Sequence, residues 1–204
     1  MKFIVMSVCL LTSVSWAQEW NVKNNQGGLF SLGVRTTYST FNQHHDERAG
    51  FGIGGQFRVQ FADRVNSDWF FDYITSDIGD YASRTDYHIG WSVLYYFTDN
   101  PQPRLKPYIL AGHCFDYTKI TDNHDATNFT ERWSSAVHAG AGVHLNLTDR
   151  LDISFVGQYM VHLGNEIDAH MHDGHLEFGE HSGSSLEGHM LFHVGINYKI
   201  ADLW

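Results

Sequence analysis

Beyond the first seventeen positions the sequence has no run of eighteen or more apolar residues, so nothing there crosses a bilayer as a helix. Basic residues are scarce. Lys and Arg number 13 against 23 Asp and Glu, a formal net charge of −10 with histidine neutral. This argues against nucleic acid as a partner, because binding phosphates needs clustered Lys and Arg. The two cysteines, Cys9 and Cys114, cannot build a disulfide scaffold. Charged residues are only 18% and aromatics 15%, the opposite of a disordered chain. Proline occurs 3 times and glycine 19. What is present is a folded, aromatic-rich chain of one domain's length, 204 residues, with a composition leaning to β structure.

The N-terminus has the three parts of a secretory signal peptide: a basic start at Lys2, an apolar run from Phe3 to Leu11, and small residues at Ser15 and Ala17. Cleavage is expected after Ala17. Residues 1–17 are then a leader and residues 18–204 the domain. Cys9 follows Val8 rather than a small residue and does not look like a lipoprotein cysteine. An exported chain with no membrane helix is either soluble or an outer-membrane barrel, and periodicity decides between them.

Apolar and polar residues alternate with period two in eight segments: 30–38, 51–61, 69–75, 87–97, 108–117, 137–147, 151–161 and 190–200. The parity of 108–117 is unclear. Segments of about 9–11 residues suit a tilted strand crossing a bilayer, and an even strand number with dyad alternation marks an outer-membrane barrel. Closure removes the edges that lipid cannot solvate. Ala62–Asp68, Thr98–Lys106 and Thr148–Arg150 read as short turns. Asn42–Ala49, Ser76–Asp86, Thr118–Glu131 and Leu163–Glu187 read as longer polar loops. Short periplasmic turns opposite long external loops are what such a barrel requires, with both termini periplasmic.

A soluble barrel points its apolar face inward. Here the polar faces carry Arg35, Gln56, Arg58, Gln60, His88, Asn146, Gln158, Asn197 and Lys199, a poor apolar core but a fitting polar interior. Aromatics gather near strand ends, at Tyr38, Phe51, Phe61, Trp69, Tyr87, Phe97, Tyr108, Tyr159 and Tyr198, as in the girdles of a membrane barrel. The expected fold is all-β: an eight-stranded antiparallel up-and-down transmembrane barrel.

From Gly28 onward the chain resembles the OmpA-like family of small outer-membrane β-barrels. The stretches that carry the resemblance are Lys106–Gly112, Ala139–Val143 and Leu147–Asp152. Leu191–Ile200 with terminal Trp204 is similar to the C-terminal signal read by the barrel-assembly machinery. The resemblance implies a monomer in the bacterial outer membrane, surrounded by lipid and lipopolysaccharide. The family includes structural anchors, adhesins and small pores. Because the chain stops with the last strand, no peptidoglycan-binding domain is expected, nor a cell-wall anchor role. Some barrels of this size deacylate lipid A through a His-X-Ser-Asn motif. This chain has His162-Leu163-Gly164-Asn165, with glycine in place of the nucleophile, so no enzyme is expected. The expected role is structural or surface-interactive, through the external loops.

Histidine is the unusual component, at 14 residues. Leu163–Glu187 holds His170, His172, His175 and His181 with Glu166, Asp168, Asp173, Glu177 and Glu180, three of these imidazoles within six positions. Imidazoles so clustered suit a divalent transition metal, and no other cofactor is expected. Their alternative reading is a solvated polar loop, or one that changes charge near pH 6. His44, His45 and His124 lie in other loops on the same side. A second set falls on polar strand faces: His88, His138, His144, His162 and His193, with His113 undecided. Arg35, Arg58, Asp72, Asp152 and Lys199 are expected to join them in an interior network, since buried polar groups need partners.

Overall fold

The computed structural model describes residues 27–41, 48–100, 102–164, 166–172, 175–181 and 188–204. The leader, residues 42–47 with His44 and His45, and Asp173, Gly174 and 182–187 lie outside them. Ten strands are described: β1 Leu29–Phe41, β2 Gly50–Ala62, β3 Val65–Ile78, β4 Ala82–Tyr96, β5 Leu105–Asp122, β6 Phe129–Asn146, β7 Leu151–Leu163, β8 Glu166–His172, β9 His175–His181 and β10 Gly188–Asp202. Eight close into a barrel in the order β1-β10-β7-β6-β5-β4-β3-β2, and β8–β9 forms a separate hairpin. Every barrel pairing is antiparallel.

Each of the eight alternating segments lies in a barrel strand to within one residue at its ends, but several connections are shorter than the pattern predicts. β2 and β3 are separated only by Asp63 and Arg64, and β3 and β4 only by 79–81. β5 and β6 reach up to a turn at 123–128. Many of the extra residues are polar, as in Ser76, Arg84, Asp86 and Thr118, while Ile78, Ala82 and Ile120 are apolar and buried. Hydrophobic alternation stops where lipid stops, whereas the backbone ladder continues into water. Leu163–Glu187 is likewise not simply a loop, because it contains the β8–β9 hairpin.

Side-chain direction follows parity. On β4, Tyr87, Ile89, Trp91, Val93 and Tyr95 face outward, while His88, Ser92, Leu94 and Tyr96 are buried. β5 turns its even residues inward. This corrects the placement of Tyr108, which is not a girdle residue. It is buried, with its ring 4.4 Å from that of His144 and edge-on to Tyr96. His113 faces outward, its ring 5.1 Å from Phe115. Phe51 and Phe61 mark the two ends of the outward face of β2. Ten strand steps of about 3.3 Å, tilted by about 40°, span roughly 25 Å, the height of a lipid-facing apolar band. Around the outer end, Tyr73, Tyr87, Tyr117 and Trp133 lie ring to ring at 4.9–5.9 Å. Gly55 leaves a shallow apolar depression of about 700 Å³ in this wall, bounded by Val34, Ile53, Phe71, Val194 and Ile196.

Candidate functional site: the filled lumen and the outer hairpin

The lumen is occupied by the residues that the polar strand faces bring together. Towards the periplasmic end, Arg58 donates from Nη2 to Asp152 Oδ2 at 2.5 Å and from Nε to Ser31 Oγ at 3.3 Å. Its Nη1 also lies 2.9 Å from His144 Nε2. Asn197 donates to Asp152 at 3.2 Å, and Lys199 Nζ donates to Asn146 Oδ1 at 3.1 Å. Further in, Arg35 Nε donates to Asp72 Oδ1 at 2.7 Å, a second guanidinium nitrogen pairs with Asp72 Oδ2, and the guanidinium carbon sits 4.1 Å above the Phe70 ring. The expected network of Arg35, Arg58, Asp72, Asp152 and Lys199 is thus present. It joins two separate buried ion pairs to amide and hydroxyl partners.

The outer half holds imidazoles. His162 Nδ1 lies 2.8 Å from Asp116 Oδ2, and His88 Nε2 lies 3.3 Å from Asp116 Oδ1. His162 Nε2 is 3.2 Å from His189 Nδ1. His138 and His193 contact Ser92 Oγ and Thr37 Oγ1 at 2.8 and 2.9 Å. All five lumen histidines of the sequence reading are buried. Sequence reasoning misses His189 because the eighth apolar run starts at Met190. Its parity with His193 is the available signal. Phe70, Ile74, Cys114, Ala136, Met160 and Leu191 fill the space between the polar groups. Two cavities among these residues measure about 20 Å³ beside Arg58 and His144 and about 10 Å³ beside Arg35 and His193, room for roughly one water each.

The β8–β9 hairpin lies at the outer mouth. Its register pairs Ile167 with Glu180, Ala169 with Phe178 and Met171 with Leu176 on one face. From that face Ile167, Ala169, Leu176 and Phe178 pack on Ile78, Ala82, Ile120 and Tyr81, the inner side of the tall β3–β5 wall. The opposite face pairs His170 with Glu177, His172 with His175 and Glu166 with His181. All four histidine positions singled out in the sequence therefore share the face that does not pack on the barrel. His170 and Glu177 are exposed. The side chains of His172, His175 and His181 lie outside the described residues. Among the described residues no three His, Cys, Asp or Glu group to hold a metal.

In the β5–β6 turn, His124 N donates to Asp122 at 2.8 Å, and Thr127 Oγ1 donates to Asp125 at 2.6 Å. These donors hold the carboxyls of Asp122 and Asp125 below the usual carboxylate value. The His124 ring stands 3.7 Å from Asp122.

A family model described as the outer membrane protein beta-barrel domain matches residues 6–199. A search of curated protein sequences finds no match. Among solved structures the fold is similar to Neisserial surface protein A, with a TM-score of 0.61, 14% identity, and 86% of this chain and 99% of that one covered. It is also similar to a major outer membrane protein of Thermus thermophilus, with a TM-score of 0.57, 12% identity, and coverage of 83% and 98%. A third is the attachment invasion locus protein of Yersinia pestis, with a TM-score of 0.51, 12% identity, and coverage of 85% and 98%. At these identities the likeness is one of fold.

Proposed function

Because the chain belongs to the outer membrane protein beta-barrel family, we propose that it is exported to a bacterial outer membrane and acts there as a surface-interaction protein. The barrel is the anchor, and the hairpin and outer turns are the working surface. One observation carries this reading: among the described residues the lumen is filled by paired charges and apolar side chains, and two of the cavities between them measure about 20 and 10 Å³. A barrel filled in this way is poorly suited to conduct solutes. The Ser–His pairs it contains, Ser92–His138 and Ser154–His144, are buried beside those same small cavities, which supports a non-enzymatic role. Two structurally similar barrels bear names for surface protein and attachment, which accords with the reading. Lipid and lipopolysaccharide are the surrounding partners, the barrel-assembly machinery inserts the chain, and it works as a monomer.

The test replaces 166–181 with a short flexible linker and displays both forms on cells. The variant is expected to keep the mobility difference between unboiled and boiled protein and to lose adhesion to host-cell and matrix surfaces. Unchanged adhesion, or a steady conductance of the intact protein in planar bilayers, overturns the reading.

A further inference from the structure

We infer that His162 and His189 form a proton-sensitive clasp at the root of the segment that carries the β8–β9 hairpin, closed at neutral pH and opened when both imidazoles take up protons. Such regulation goes beyond the adhesive role and stands without it. β7 ends at Leu163 and β10 begins at Gly188, so the two histidines stand at the two ends of the intervening segment. The described β7–β10 ladder ends at the Val161–Gly188 pair, and the next link between these strands is made by side chains. His162 Nε2 lies 3.2 Å from His189 Nδ1, and the two rings are stacked with centroids 4.9 Å apart. Both residues are buried.

A contact between two ring nitrogens holds one hydrogen: one ring donates it, and the other accepts through a lone pair. Two neutral rings satisfy it, and so does a pair carrying one added proton. With both rings protonated every ring nitrogen bears hydrogen, no acceptor is left, and two like charges face each other across 3.2 Å. The closed clasp therefore holds at most one positive charge, whereas rings turned out into water hold two. The surrounding charges come from several strands. Asp116 of β5 lies 2.8 Å from His162 Nδ1 and is also approached by His88 of β4 at 3.3 Å and by Arg132 of β6 at 3.9 Å. Arg84 and Asp86 of β4 pair at 3.0 Å, and Asp72 of β3 pairs with Arg35 of β1 at 2.7 Å. Asp116 favours a hydrogen on His162 Nδ1, which leaves Nε2 as the nitrogen that either donates to His189 or accepts from it.

Opening is thereby linked to proton uptake. An imidazole in water titrates near about 6.5. Below that value the open form gains a second proton that the closed form cannot hold. The open-to-closed ratio then rises as pH falls, by at least about fivefold between pH 6.5 and 5.0. The clasp controls the root of the segment, while Ile167, Ala169, Leu176 and Phe178 seat the hairpin on the β3–β5 wall. Opening the root removes a tether from that seat, so the hairpin exchanges more often with a lifted form in mild acid.

The experiment is amide hydrogen exchange of the full-length protein in micelles at pH 7.5, 6.5 and 5.0, resolved by NMR and divided by the intrinsic rate at each pH. The opening constant of amides in 167–179 is expected to rise at least fivefold between pH 6.5 and 5.0, while amides at mid-barrel, in 53–59 and 89–94, keep theirs. In His189→Gln the rise should vanish, because a glutamine amide still pairs with His162 and never adds a second charge. His162→Gln removes the same pair and serves as the second variant. His124→Gln should keep the full rise. Boiled and unboiled mobility confirms that each variant is folded. Flat protection of the hairpin in the parent, a rise that persists in His189→Gln or His162→Gln, a rise lost in His124→Gln, or an equal rise at mid-barrel overturns the inference. Adhesion has no part in this readout, so failure of the clasp and failure of the adhesive role are told apart.

Discussion

Replacing Arg58 with methionine tests whether the lumen is held by paired charges. Arg58 and Asp152 are 3% and 1% exposed, and the guanidinium supplies the strongest contact to the carboxylate, at 2.5 Å. Without Arg58, Asp152 keeps a long bond from Asn197 at 3.2 Å, marginal contact with Ser154 at 3.5 Å and the His144 ring at 3.9 Å, none of which supplies a fixed positive charge. His144 also loses the guanidinium beside its ring. Leaving one buried charge unmatched costs about 3–5 kcal/mol, whereas removing both partners with apolar isosteres often costs little. The single variant should therefore lose about 4 kcal/mol, close to a thousandfold in the unfolding equilibrium. The Arg58→Met/Asp152→Leu double variant should lose far less than the sum of its parts. Urea unfolding in lipid vesicles, followed by tryptophan fluorescence and by gel mobility, measures all four corners of the cycle. A single-variant loss under about 1 kcal/mol, or strict additivity, would refute the argument that charge pairing holds this end of the lumen.

Two adjacent glycines should respond in opposite ways. A Cβ at Gly54 would collide with the Asp72 carboxylate and the Phe71 carbonyl, so Gly54→Ala should disturb the Arg35–Asp72 pair and cost over about 2 kcal/mol in the same assay. At Gly55 the nearest atom would be Gly33 O at 4.0 Å, so Gly55→Ala should stay within about 0.5 kcal/mol, and equal effects would contradict the assigned parity. For the β5–β6 turn, Asp122 and Asp125 are both held below their ordinary value of 3.8. A depressed carboxyl stabilises the fold above its unfolded pKa and loses that contribution as pH falls through the folded one. Amide protection at His124 and Thr127, read by NMR, should hold from pH 7 to about 4 and fall only below it; loss between pH 7 and 5 would contradict these bonds.

The barrel was legible because lipid enforces parity. At each outward position of 87–97 or 190–200 a polar side chain would be expensive, so alternation is strict and the inward residues can be named. Strand ends were not legible, since Ser76, Arg84 and Thr118 continue the ladder above the lipid, where no apolar face is demanded. The parity of β5 was obscured because the lumen also accepts Tyr108, Leu110 and Cys114, which look like lipid-facing residues in a list of hydropathies. The identities of Arg35, Arg58, Asp72, Asp152 and Lys199 pointed inward, but their pairing depends on the shear of the closed sheet. The hairpin was hidden by its composition: Glu166-Ile-Asp-Ala-His-Met-His172 does alternate, but its acids and histidines read as loop. That same alternation separates its two faces.

The wall of the barrel is uneven. Past the outer aromatic belt β5 continues from Tyr117 to Asp122, while β2 starts at Gly50, directly beside Phe51. The hairpin leans on the tall β3–β5 side. The protein therefore has a compass bearing in the plane of the membrane, unlike a symmetric cylinder. A molecule drifting in from the direction of β3–β5 meets a parapet of strand backbone. Among the described residues, the strand backbone on the β1–β2 side stops lower. Encounters at this surface should depend on azimuth as well as on height above the lipid.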